Sequence, residues 1–213
     1  MKKLLFYAFS IGTLAACTSE TTNTKTSDKE MVATSTGDLY VIDSSSAITW
    51  TGSKPGENHT GTLSVKEGSF SVQENMVTAG SFTIDMTSLN NIDLAAKPDN
   101  KAKLEGHLKS PDFFDAAKYP TAKFEITAVE ASVNDSTKNA THLIKGNLTI
   151  KDSTKNISFP ARITVDAKTV SATADFSIDR SLWGINYKGP NNPQNWLIGK
   201  EVKIKLAIAA TKK

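Results

Sequence analysis

The chain has 213 residues, 25 Lys and Arg against 22 Asp and Glu, a formal charge of +3, and 38% hydrophobic residues. The lysines are spread along the chain with no basic and aromatic cluster, which argues against nucleic acid as a partner. A single cysteine, Cys17, rules out an intramolecular disulfide.

The first residues, "MKKLLFYAFSIGTLAAC", place Lys2 and Lys3 before an apolar run that ends in small residues. That order is the one of a secretory signal, and the run is short for a membrane span. Its end, "LAAC", resembles the lipobox of bacterial lipoproteins, whose cysteine is lipidated and becomes the first mature residue. Residues 1–16 are therefore expected to be a signal peptide and Cys17 a lipidation site. Stable anchoring takes two or more acyl chains, each contributing about 0.8 kcal/mol per buried CH₂. Residues 17–37, rich in Ser and Thr and without an apolar period, are expected to be a flexible tether. Residues 38–213 are enough for one domain with a real core. The expected location is the cell envelope, on a bacterial membrane, the outer one, at its periplasmic or surface side.

From about Asp38 onward the chain alternates polar and apolar residues with period 2, the pattern of strands with one buried face. "PGEN" (Pro55 to Asn58) reads as a turn, and "VKEGSF" as a hairpin with Gly68 in its loop. In "SFTIDMT" Phe82, Ile84 and Met86 share a face. "SPDFFDAAKYP" breaks the rhythm: Ser110 suits an N-cap, Pro111 a first helical position and Asp112 a first turn, so a short helix ending near Lys118 is expected, with Phe113 and Phe114 as its apolar anchors. "AKFEITAV" puts Phe124, Ile126 and Ala128 on one side. "NDSTKN" (Asn134 to Asn139) and "KGPNNPQN" (Lys188 to Asn195) read as loops. "VSATADFSID" and "EVKIKLAIA" complete the set, with Ala172, Ala174, Phe176 and Ile178 on one inner face and Val202, Ile204, Leu206 and Ile208 on the other. Many strands in one domain imply an all-β antiparallel barrel or sandwich, and small inward residues favour a barrel with a cavity.

Four stretches carry a resemblance: "YVIDSSSAITW" from Tyr40, "EGHLKSPDFFDAAKYPTAKFE" from Glu105, "IKGNLTIKDSTKNISFP" from Ile144 and "FSIDRSLWGINY" from Phe176. Together they are similar to the YceI-like family of exported lipid-binding domains. The resemblance implies an extended, eight-stranded, lipocalin-like antiparallel barrel with one or two short helices, holding a polyisoprenoid or similar amphiphile without catalysis. The expected lining is Phe82, Ile84, Phe113, Phe114, Phe124, Ile126, Phe176, Trp183, Tyr187 and Leu206, with His107 and Arg180 as head-group contacts. The chain departs from the family pattern at Leu104 and Glu105, at Ser44 to Ser46, and at Asp152, which stands where a turn glycine is usual.

The residues themselves leave other readings open. His107 near Glu105, Asp112 and Asp115 suits a structural hydrogen bond, and no G-x-S-x-G accompanies it for hydrolase chemistry. His59, His107 and His142 lie too far apart in sequence for a metal motif, and no cofactor is expected. Arg180 could instead pair with Asp179 or Asp175, and Trp183, Tyr187 and Trp196 could cap a barrel end as ordinary core. N-x-S/T sequons, among them those at Asn147 and Asn156, read as plain strand usage. The main alternative function is a structural or stress-linked envelope lipoprotein whose barrel is filled by its own side chains. A single chain also leaves a homodimer open.

Overall fold

The computed structural model describes residues 22–131, 140–189 and 198–213; Cys17, Trp196, the loop expected at Asn134 to Asn139 and most of that after Lys188 lie outside them. In chain order the elements are β1 (Thr22–Asn23), β2 (Lys25–Asp28), β3 (Asp38–Ile42), β4 (Ala47–Lys54), β5 (Glu57–Gln73), β6 (Met76–Asn91), α1 (Pro98–Lys109), β7 (Thr121–Ala131), β8 (His142–Ile150), β9 (Ser153–Val165), β10 (Thr169–Asp179), a 3₁₀ turn (Arg180–Trp183) and β11 (Glu201–Lys212). β3 and β4 act as one interrupted strand between β11 and β5. Counting them together, eight antiparallel strands close into a barrel through the pairing of β9 with β10.

The alternation read from the sequence sorts residues correctly onto the inner face in most strands. Its main failure is at Ala128. The β7–β8 register slips between Ile126 and Ala128, so Val129, not Ala128, packs on the core. Such a bulge inserts one residue and reverses the faces beyond it.

Two local expectations are corrected. "VKEGSF" is no hairpin: β5 runs through it, and the chain reverses at Glu74 and Asn75, both in the left-handed region at φ 53° and 61°. Gly68 serves a close approach instead, since a Cβ there would strike Cβ of Phe82 and the carbonyl of Ser81 on β6. The helix also lies earlier than expected. α1 begins at Pro98, with Asp99 in its first turn, and Ser110 ends it by donating both its N–H and its hydroxyl to the His107 carbonyl. Residues 111–118 continue as turns, with Asp115 at φ 48°. None of the α1 residues is buried, so the helix carries no apolar period by which a sequence reading could find it.

The inner space divides into two halves. Tyr40, Phe70, Val72, Val77, Ile144, Val170 and Ile208 pack one half solid. The other half is hollow, and β11 records the change along a single face: Ile208 and Ala210 are buried, whereas Val202, Ile204 and Leu206 are only half-buried although they point inward.

The segment expected to be a free tether is, from Thr22, part of the wall. β9 and β10 pair only from Ala161↔Ala174 to Val165↔Val170. Beyond that they splay, and the N-terminal chain enters the gap, β1 running parallel to β10 (Thr22↔Phe176, Asn23↔Ser177) and β2 antiparallel to β9 (Lys25↔Ser158 to Asp28↔Lys155). The chain then crosses the outside of the sheet. Glu30 donates its N–H to Oδ1 of Asn147 at 3.0 Å and accepts from Nδ2 at 2.8 Å. Ala33 donates to the Ile126 carbonyl beside the β7 bulge at 3.0 Å, and Ser35 meets Ser71 before the chain enters β3. A Ser/Thr-rich segment can do this because the contacts are mostly backbone groups filling an open strand edge, which needs no apolar side chains.

Candidate ligand site

The hollow half holds an internal cavity of about 150 Å³. Its wall is built from the inward positions of consecutive strands: Ile48 and Trp50 of β4, Phe82, Ile84 and Met86 of β6, Ala122 and Phe124 of β7, Leu148 and Ile150 of β8, Ile157 and Phe159 of β9, Phe176 and Ile178 of β10, and Val202, Ile204 and Leu206 of β11. Four phenylalanines form a row along one side, with ring centroids 5.3 Å apart for Phe82 and Phe124, 5.8 Å for Phe124 and Phe159, and 4.1 Å for Phe159 and Phe176. Gly146 makes room for this row, because a Cβ there would run into the Phe124 ring.

The turns after α1 and the segment after β10 meet over the end where Phe113, Phe114, Leu108, Arg180, Ile185 and Ile198 border the cavity. The ring of Tyr187 lies 4.7 Å from that of His107 and 5.2 Å from that of Phe113. The Arg180 guanidinium lies 5.8 Å above the Phe113 ring.

Arg180 is 5% exposed. Its Nε donates to the Gly199 carbonyl at 3.0 Å, Nη1 to Ile185 at 2.5 Å, and Nη2 to Tyr187 at 3.0 Å and Ile198 at 3.1 Å. Neither aspartate considered from the sequence hydrogen-bonds to it. Asp179 accepts from the N–H and hydroxyl of Ser181 and pairs with Lys200 at 3.1 Å, while Asp175 faces Lys205 at 3.6 Å. Burial lowers the guanidinium pKa and the nearby Asp179 charge opposes the fall. The arginine thus works as a clamp that joins the segment after β10 to the chain entering β11, with its donors spent on carbonyls.

Of the residues expected to line a site, Phe82, Ile84, Phe113, Phe114, Phe124, Phe176 and Leu206 border the cavity. Ile126 is buried elsewhere, in the filled half near Gly80. Trp183 is buried under the wall and donates its indole N–H to the Leu148 carbonyl at 2.9 Å. Tyr187 packs on the outer side of Phe113, and His107 faces Asp112 at 3.1 Å with its side chain 39% exposed. Glu105, in place of a family aspartate, accepts from the Asn91 N–H at 2.6 Å. At the β8–β9 turn it is Lys151, at φ 55°, that takes the left-handed conformation, and Asp152 accepts from the Tyr119 hydroxyl at 3.0 Å. Among the described residues no group of three His, Cys, Asp or Glu side chains is placed to hold a metal ion.

The sequence reading missed Ile48, Trp50, Leu148, Ile157 and Phe159 as lining, although "AITW" and "NISF" carry the same period-2 signal as the strands it used. It also passed over Asn147 and Asn156, which are 0% and 3% exposed. Asn156 donates to Asn147 at 3.1 Å and to Thr127 at 3.0 Å, forming the polar patch on which Glu30 docks. Asparagine inside a strand is disfavoured, and that was the available signal.

A YceI-like domain profile matches residues 40–210. The UPF0312 protein of Azotobacter vinelandii is 34% identical over 95 residues, 42% of this chain and 47% of that protein. The chain thus spans about half the length of the curated relatives it matches. Among solved structures, Burkholderia cenocepacia BcnA superposes with a TM-score of 0.61 at 21% identity, over 80% of this chain and 99% of BcnA. A polyisoprenoid binding domain from Saccharophagus degradans, implicated in plant cell wall breakdown, gives a TM-score of 0.59 at 14% identity, over 84% and 100% of the two chains. At these identities the structural likeness concerns the fold.

Proposed function

Because the chain belongs to the YceI-like family, we propose that the hollow half of its barrel binds a polyisoprenoid or another long apolar lipid, and that the protein sequesters or carries this lipid at an envelope membrane to which Cys17 anchors it. The observation that carries the reading is the chemistry of the cavity wall. It is aliphatic and aromatic almost throughout; its side-chain polar groups are the buried indole N–H of Trp50, which has no partner among the described residues, and one guanidinium that is already engaged with backbone carbonyls. Affinity in such a cavity comes from burial of hydrocarbon, at about 0.8 kcal/mol per CH₂, and needs no charged contact; about 150 Å³ takes only a short stretch of chain, so a long lipid binds by widening the hollow half around it. The polyisoprenoid binding domain of Saccharophagus degradans shares the fold and supports the same ligand class.

The test is native mass spectrometry with organic extraction on the full chain, exported in a bacterial host. A discrete added mass that extracts as a prenyl or acyl lipid is the expected result. A clean unliganded mass, unchanged after incubation with isoprenoid lipids, would overturn the reading. The same spectra report Cys17, because lipidation adds acyl mass to a chain beginning at that residue.

A further inference from the structure

The hollow half of the barrel is also the half whose seam is held apart by the N-terminal strand. Where β9 and β10 pair directly, from Ala161↔Ala174 to Val165↔Val170, the interior is filled. Where β1 and β2 stand between them, Ile157, Phe159, Phe176 and Ile178 border the cavity. Barrel diameter grows with the number of strands, so an extra strand at one end widens that end. The rest of the β9–β10 register is already laid out. Continuing it places Phe159 opposite Phe176, Ser158 opposite Ser177 and Ile157 opposite Ile178, and the rings of Phe159 and Phe176 are in contact across the gap at 4.1 Å.

The seat of the inserted strand is polar on its β10 side: Thr24 donates its N–H and its hydroxyl to the Ser177 carbonyl at 3.2 and 2.9 Å, and Ser177, at an outward position of β10, is 2% exposed. The ion pair at the far end of the insert, Asp28 with Lys155 at 3.0 Å, joins an almost fully exposed carboxylate to a third-exposed lysine and holds little. The firm side-chain attachment is farther along, at the Glu30–Asn147 pair, about which 22–28 can pivot once the short backbone ladders to β9 and β10 and the Thr24 bonds open.

We propose that residues 22–28 are an exchangeable wall strand that sets the calibre of the lipid cavity. Seated, the strand keeps β9 and β10 apart and the cavity open. Withdrawn, it lets the two strands zip along their existing register, which brings the two backbones together behind the Phe159 and Phe176 rings that already touch, narrows the hollow half and expels the ligand. The coupling to ligand rests on the lipid-binding reading. The exchange of the strand does not.

Two mutually exclusive disulfides test this in the full chain carrying Cys17→Ser. Lys25→Cys with Ser158→Cys locks the insert in its seat, since the two positions are paired across β2 and β9; Ser158→Cys with Ser177→Cys joins β9 to β10 directly, and these positions come within disulfide reach only when the insert leaves and the β9–β10 register continues. The second bond is expected to form under mild oxidation, and binding of the apolar fluorophore N-phenyl-1-naphthylamine is expected to be lost on oxidation and to return on reduction. The first is expected to preserve binding and slow release. Failure of the Ser158→Cys/Ser177→Cys bond to form while the Lys25→Cys/Ser158→Cys bond does would overturn the exchange. Formation with unchanged fluorophore binding would overturn the link to the cavity. If the unsubstituted chain binds no fluorophore, the lipid-binding reading fails, and the cross-linking alone still decides whether the strand exchanges. Hydrogen exchange on the unsubstituted chain provides a check without engineered thiols: amides of 156–158 and 176–178 should exchange faster than those of 161–165.

Discussion

Phe159 and Phe176 stack face to face, 4.1 Å apart with their planes within 13°, although the strands that carry them are not hydrogen-bonded to each other at that level. The backbone between them is supplied by the N-terminal segment, so the side chains close the barrel on the inside while a separate piece of chain closes it on the outside. Packing and hydrogen bonding of the seam are thereby separated. This arrangement makes the cavity and the N-terminal segment parts of one problem.

Substitutions along β11 should report the boundary between the two halves. Ile208→Ala removes atoms from the filled half and is expected to cost about 2–5 kcal/mol in urea denaturation. Leu206→Ala, two residues away on the same face but at the half-buried cavity wall, should cost only about 1 kcal/mol. Equal losses at the two positions would mean that the cavity is not a persistent space. Leu206→Trp should fill that space, and the protein should then emerge from extraction with less bound lipid and an unchanged far-ultraviolet circular dichroism spectrum.

Arg180 separates a structural clamp from a head-group contact. Arg180→Ala strands the carbonyls of Gly199, Ile185, Tyr187 and Ile198, and a stability loss of about 3 kcal/mol or more is expected. Arg180→Lys keeps the charge but not the planar fork, and should recover only part of that loss. Thermal unfolding with lipid extraction on the same samples decides between the roles. A head-group contact would instead leave stability nearly intact in Arg180→Lys and lower the lipid content.

Two of the bonds that hold the strap across the outer sheet come from one amide, that of Asn147. Asn147→Ala removes both bonds to Glu30 and should cost about 1–3 kcal/mol. Limited proteolysis should then cut between residues 24 and 36 well before the barrel. Asn147→Asp keeps the acceptor for the Glu30 N–H and loses the donor to its carbonyl, so an intermediate effect is expected.

Acid should weaken the fold through carboxylates that the native structure keeps ionised. Burial raises the pKa of Asp179, but bonds from Ser181 and Lys200 outweigh it and leave the value lowered. Burial likewise raises that of Asp93, which His59, the Thr60 N–H and Asn91 bring below its ordinary value. A carboxyl with a lowered folded pKa contributes stability that is present above its unfolded pKa and is lost as pH falls through the folded one. Denaturation midpoints should therefore fall gently from about pH 6.5, where His142, whose folded pKa burial lowers, protonates more readily in the unfolded chain, and fall more steeply below about pH 5. In Asp179→Asn the decline should be shallower. An unchanged acid profile in that variant would show that the Ser181 and Lys200 contacts are not holding the carboxylate in its charged form.

The period-2 placing of residues such as Phe82 and Ile84, or Phe176 and Ile178, was enough by itself to indicate antiparallel strands with one buried face and part of the cavity wall, because the inner and outer faces of a strand differ by one residue and burial marks the difference; it left barrel and sandwich open, and the resemblance to the YceI-like family pointed to the barrel. A lipid ligand was an expectation from the family resemblance and not from composition. Other features were decided only when the strands met. The bulge that turns Ala128 away from the core depends on how β7 and β8 register. α1 has no fully buried residue and so leaves no apolar period to read. The N-terminal insert is held by backbone groups, which every sequence possesses equally, and a Ser/Thr-rich segment looks the same whether it is free or paired. What gives it a place in the wall is the splay of β9 and β10 beyond Ala161 and Ala174, whose two facing edges it pairs, and that meeting of three segments far apart in sequence exists only in the closed barrel.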